Sequence, residues 1–257
     1  MNAIYEIKKY FLLILTIQLF SIPMAKAEEF SAILTWSKRV ELSTPVSGVV
    51  KQVFAKTGKI VAKGDVLIQL DPRSFKADLK YAKAKFKNTN EQSLEAKREL
   101  DRQLDMYDRS MLSEHDLQTA KNNYTAAQSN YLQAQASLKK AKLNLEHSAI
   151  RAPFNAIVIK TTSVKGQVVA SDISPPILVT VAEAHRMLAR FYVPSNKVND
   201  FILKQGVEVN VAGENYQARI FNIALEPEAS RVDYAVDVIF DYKDKILRAG
   251  QKAIINL

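Results

Sequence analysis

From Arg73 to His147 the chain contains neither proline nor glycine. No other feature limits the possible folds so strongly. In the second half of this polar run Leu117, Tyr124, Tyr131, Leu138 and Leu145 recur every seven residues. Ala120, Ala127, Ala134 and Ala141 recur at the same interval, offset by three. Two apolar rows with that period predict a coiled-coil helix. The first half carries the pattern less cleanly, with Phe75, Ala82, Thr89, Ala96 and Gln103 in one row and Leu79, Phe86, Ser93, Leu100 and Tyr107 in the other. Between the halves, Ser113 followed by Asp116 reads as an N-cap with an acidic third helical residue. The segment therefore predicts two antiparallel helices joined by a tight turn near Ser110–Leu112. Each has about 35 residues and is roughly 50 Å long at the helical rise.

The 257 residues leave room for about two domains, though a long hairpin spends residues without building a globular core. There is no cysteine, which excludes disulfides, thiol nucleophiles and cysteine-bound zinc. The formal charge is +9. Basic chains often bind nucleic acid. Here the lysines alternate with acids along the helical run, as on a solvated face, and no aromatic-plus-arginine platform stands out, so no nucleic-acid partner is expected. At the N-terminus Lys8-Lys9 precede an apolar run from Tyr10 to Ile22, followed by Ala25-Lys26-Ala27. That order predicts a cleavable signal peptide at 1–27. The alternative is an uncleaved anchor, but the run is short of the about 20 residues a span needs. Removing 1–27 takes away three lysines and one glutamate and leaves +7. Export in a two-membrane bacterium would place the chain in the periplasm.

The helical run interrupts a repeat. Residues 40–71 place short apolar pairs between Gly48, Gly58 and Gly64, a compact β unit with glycine at its turns. The pattern returns over 148–183. A shift of 108 sets Pro45 on Pro153, Val50 on Val158, Gly58 on Gly166 and Val61 on Val169. Two quasi-equivalent halves are expected to bury their apolar faces in one small sandwich, with the hairpin at 72–147 inserted between them. Phe30 to Glu41 alternates weakly and predicts one strand, which with 184–257 makes a small antiparallel barrel. Within that last stretch, Pro194 to Lys204 reads as a short helix ended by Gly206. The fold class is α+β.

Two lipoyl-like halves, TPVSGVV and RAPFNAIV, flanking a helical hairpin resemble the periplasmic adaptor proteins of bacterial efflux pumps, the HlyD-like membrane fusion proteins. The resemblance covers most of the chain after the signal, including the closing LRAGQKAIINL of the barrel. It implies an elongated adaptor with residues 28–39 as the barrel's first strand. It also extends to the hairpin tip, where the family's channel-docking pattern is Arg, then Leu four residues on, then Ser seven further. Arg102, Met106 and Ser113 occupy those positions, with methionine a volume-conserving replacement for leucine. Taken as isolated residues, Arg102 reads as an ordinary helix arginine paired with Asp105 or Glu99 and Ser113 as only a cap; the whole arrangement favours docking. As partners the resemblance implies a TolC-type outer-membrane channel, an inner-membrane transporter and a homo-oligomer, trimer or hexamer; the expected lack of a membrane anchor, not the resemblance, puts the RND type ahead of the ABC type. Many members continue into a membrane-proximal domain. In this sequence the barrel would take over more of the grip on a transporter.

Little else points to chemistry. His115, His147 and His185 are far apart, no soft-metal methionine cluster appears, and no catalytic or nucleotide-binding motif is present. No enzyme activity, metal or cofactor is expected. A lipoyl or biotin carrier needs a lysine where this chain has Asp71-Pro72; Lys59, Lys63 and Lys165 sit in strand turns. Two alternatives from other classes stand beside the adaptor: such a carrier domain, and an exported coiled-coil scaffold with no transport role.

Overall fold

The computed structural model describes residues 28–171, 175–228, 232–243 and 245–257. The segment read as a signal lies outside them. Among the described residues fourteen strands and two long helices follow in chain order: β1 (Glu29–Trp36), β2 (Arg39–Leu42), β3 (Gly48–Val53), β4 (Ile60–Val61) and β5 (Val66–Leu70), then α1 (Arg73–Asp108) and α2 (Glu114–His147). After the helices come β6 (Ala149–Arg151), β7 (Ala156–Thr161), β8 (Val168–Val169), β9 (Val179–Glu183) and β10 (Arg186–Val193). The last four are β11 (Gly206–Val211), β12 (Glu214–Ile223), β13 (Tyr234–Asp241) and β14 (Lys252–Asn256). The chain divides into two compact units, Trp36–Ala184 and the remainder.

The first unit contains two four-stranded sheets, β2-β9-β7-β4 and β6-β5-β3-β8. Its two halves do more than face each other. Gly48 pairs with Val169 and Val49 with Val168. Ile60 pairs with Ile157 and Val61 with Ala156. The shift of 108 converts one set into the other, so each half lends its two-residue strand to the sheet of its twin. The turn bonds repeat the symmetry: Gly58 N–H donates to Val158 O, and Gly166 N–H to Val50 O, both at 2.8 Å. Both glycines have φ above +80°, which a side chain would strain. Val50, Leu67, Ile68, Leu70, Val158 and Val169 fill the core. Phe75, from the first turn of α1, is buried in the same cluster, and Leu145 from the last turns of α2 packs against it. The hairpin is thus fastened at its base by apolar contact.

Along the hairpin the buried residues of α2 are Leu117, Ala120, Ala134 and Ala141, all from the heptad rows. Those of α1 are Phe75, Ala82, Thr89 and Ser93. The polar members are satisfied. Thr89 Oγ1 donates to Lys85 O at 3.0 Å, and Ser93 Oγ donates to Gln128 Oε1 on the facing helix at 2.8 Å. Phe86 and Tyr131 meet with ring centroids 5.4 Å apart. The α1 row runs out at Tyr107, which is 39% exposed.

The second unit is a closed six-stranded barrel in the order β1-β10-β13-β12-β11-β14. Phe30, Phe191 and Phe201 pack together inside it, with centroids 4.9 to 5.7 Å apart. Two expectations need correction. The strand expected over Phe30–Glu41 is two strands, β1 in the barrel and β2 in the sandwich. Ser37 Oγ donates to Glu183 Oε2 at 2.9 Å and Lys38 O accepts from Glu183 N–H at 3.0 Å, bonds within the sandwich unit that fix the start of β2 beside β9. The helix expected over Pro194–Lys204 is a single 3₁₀ turn at Val198–Asp200. Short-range bonds from Lys197 N–H to Pro194 O and Asp200 N–H to Lys197 O close it. The left-handed residue is Lys204, φ 71°, whose N–H binds Ile220 O at 2.8 Å; Gly206 instead begins β11. No helix among the described residues is long and apolar enough to cross a membrane.

Candidate docking site at the hairpin tip

The tip is a five-residue connection, 109–113, closed at both ends by caps. Ser110 takes a left-handed conformation, φ 59°. Its N–H donates to Tyr107 O at 2.8 Å, and Met111 N–H donates to Met106 O at 2.9 Å. This pair of bonds is a Schellman termination with serine in the place glycine usually holds. Met106 and Met111 occupy the two positions whose side chains staple such an end. Entry into α2 is capped by Ser113, whose Oγ accepts from Asp116 N–H at 3.2 Å and donates to Asp116 Oδ2 at 2.6 Å. Glu114 and Asp116 put negative charge at the helix's positive end. Both ends of the short loop are thereby closed by hydrogen bonds, with Met111 68% exposed and Met106 37% exposed.

Of the three residues read from sequence, Met106 is tied to the turn and Ser113 is the N-cap. Arg102 lies back along α1. Its guanidinium is directed at carboxylates on its own helix: Nε donates to Glu99 Oε2 at 3.0 Å and Nη2 lies 3.5 Å from Glu95 Oε1. Hydrogen bonds from Gln103 and then Arg102 lower the pKa of Glu99, and bonding to Glu99 raises that of Arg102. Asp105 pairs with Arg109 instead, at 2.8 Å. The charged groups of these pairs face solvent, so a partner can compete for the arginine. Between the helices below the tip lies an open cleft of about 670 Å³, lined by Glu95, Glu99, Gln103, Asp116 and Asn123. Sequence reasoning missed Met111; its signal was the five-residue spacing from Met106 across a helix end.

The other candidates lie elsewhere. His115 and His147 sit in the first and last turns of α2. His185, φ 63°, belongs to the barrel, where its carbonyl accepts from Tyr242 N–H at 3.0 Å. No group of three or more His, Asp or Glu able to hold a metal occurs among the described residues. Lys59, Lys63 and Lys165 are exposed in turns. At the junction where a carrier would bear its lysine, Asp71 accepts Nε and Nη2 of Arg73 at 2.9 and 2.6 Å, which lowers its pKa to about 2.

A split sandwich whose halves exchange strands around a long helical hairpin, joined to a closed barrel, is the architecture of an adaptor. The chain belongs to the CzcB-like barrel-sandwich hybrid domain family, whose model matches residues 38–182, and with it to the membrane fusion, or periplasmic adaptor, proteins. It is 26% identical over 241 residues to the macrolide export protein MacA of Yersinia pestis, covering 86% of this chain. It is 24% identical over 237 residues to the nodulation protein NolF of Rhizobium meliloti strain 1021, covering 91%. In both cases the match takes in 64% of the relative, so the chain spans just under two thirds of the length of these curated relatives. A crystal structure of a MacA–MexA chimera carrying the Pseudomonas aeruginosa MexA α-hairpin shares the fold. Its TM-score is 0.70 at 24% identity, over 90% of this chain and 80% of that one.

Proposed function

We propose that this chain is the periplasmic adaptor subunit of a tripartite efflux pump. Its hairpin tip docks on a TolC-type outer-membrane channel through Arg102, Met106 and Ser113, with Met111 beside them. The sandwich and barrel assemble with further copies, as a trimer or hexamer, into a conduit above an inner-membrane transporter. The role is mechanical, bridging and gating, with no chemical step. The observation that carries this reading is the doubly capped tip with exposed methionines at the end of an uninterrupted hairpin roughly 50 Å long. A helical tip of that kind suits a coiled-coil-like contact with another helical hairpin. Kinship with a relative named for macrolide export supports an export role.

Charge reversal at Arg102 tests the docking. Arg102→Glu is expected to abolish export while secretion and helical content stay normal. The control is Arg98→Glu, which breaks a similar exposed pair with Glu95 one turn away and should leave export intact. Full resistance in the Arg102→Glu strain would remove the docking claim.

A further inference from the structure

The two faces of the hairpin differ in chemistry. The cleft face takes Glu95 and Glu99 from α1 and Asp116 from α2. Residues on the other side of the seam repeat at heptad intervals. On α1 they include Lys76, Lys80, Lys83 and Lys87, and on α2 Lys139 and Lys142, all exposed and all in the half nearest the sandwich. The carboxylate in the same rows of that half is Glu146, at the very base. Ion pairing on the helices is made by arginine: Arg98, Arg102 and Arg109 each hold a carboxylate. None of the six lysines has a hydrogen-bond or ion-pair partner among the described residues. The heptad sorts the charges that alternate along the sequence so that these six lysines share one side, while Lys85, Lys140 and Asp78 fall on the other. Like charges three and four residues apart weaken a helix slightly, and among the described residues only Glu91, four beyond Lys87, and Glu146, four beyond Lys142, stand at a spacing that offsets it.

We propose that this face binds a linear polyanion, the carboxylate-bearing glycopeptide strands of the cell wall. The choice of polymer rests on the proposed periplasmic position, since a hairpin reaching toward the outer membrane passes through that layer. Charge complementarity selects the class. Lys76 to Lys87 extend about 16 Å along a straight rod, with a cation at roughly each turn, which suits a strand lying alongside. Lysine is a hydrated point charge without the fork that reads one phosphate or carboxylate bidentately, so contact tolerates sliding. The face carries no aromatic side chain to stack bases or to anchor in a bilayer.

The test is co-sedimentation of the purified protein with insoluble peptidoglycan sacculi. Binding is expected at low salt and should fall about tenfold or more between about 50 and about 200 mM salt. A variant with Lys76, Lys80, Lys83 and Lys87 all changed to Glu should lose it. A control with Lys51, Lys56, Lys59 and Lys63 changed to Glu, in the sandwich, should keep it. Should the helix variant misfold by circular dichroism, Lys139→Gln with Lys142→Gln supplies a milder loss. Equal binding by the helix variant, equal loss in the control, tighter binding to anionic phospholipid vesicles, or salt-dependent self-association in place of wall binding would each overturn the proposal. No channel or transporter enters the assay, so its failure is separable from failure of the docking reading.

Discussion

The hairpin and the sandwich beneath it are held together in different ways. Along the lower hairpin the seam is made of contacts between facing helices, such as Phe86 with Tyr131 and Ser93 with Gln128, set by a short local repeat. The sandwich closes only when strands on either side of the hairpin, β3 with β8 and β4 with β7, find each other across the inserted helices. Loop closure grows slowly with length, so the insertion itself costs little once the exchange is made. Damage at the tip should therefore stay local, whereas damage at the base should unfold the sandwich as a unit.

The largest break is expected at the joint. Phe75→Ala removes a ring buried in the sandwich core and should cost about 3 kcal/mol in denaturant unfolding followed by near-ultraviolet signals. Higher on the rod, Ala134→Leu overfills the close helix contact and should cost about 2 kcal/mol. That loss should appear in helical melting ahead of the sandwich transition. Ser113→Ala removes the N-cap and should cost about 1 kcal/mol, confined by hydrogen exchange to the first turn of α2. Ser110→Gly works the other way. It relieves a left-handed serine and should gain about 0.5 kcal/mol, the relief being partly offset by glycine's greater chain entropy. The smallest effect concerns Asp71. Its folded pKa lies below that of a free carboxyl, so the contribution of its pair with Arg73 is present above the ordinary carboxylate range and is lost as pH falls through about 2. Arg73→Ala should return the Asp71 pKa to the usual range in an NMR titration.

The same contrast explains what could be read from the residues alone. A heptad is a local signal, so the seam of α2 was legible row by row, and the repeat of Pro45 with Pro153 and Gly58 with Gly166 announced two halves. That the halves exchange strands was not legible, because β4 and β8 are two residues long and their partners are set by tertiary pairing. The left-handed Ser110 hid the Schellman end, since serine does not advertise that conformation as glycine does. The strand change at Ser37 and the left-handed stop at Lys204 involve bonds to Glu183 and Ile220, distant in sequence. The lysine face was masked by alternation that only the helical period resolves.

The most direct test of the central claim is photo-cross-linking in living cells, with a photoreactive residue at Met106. The account predicts a product containing an outer-membrane channel protein, lost in the Arg102→Glu background. Products between copies of this chain alone, with none to a channel, would contradict it and identify the tip as an assembly surface.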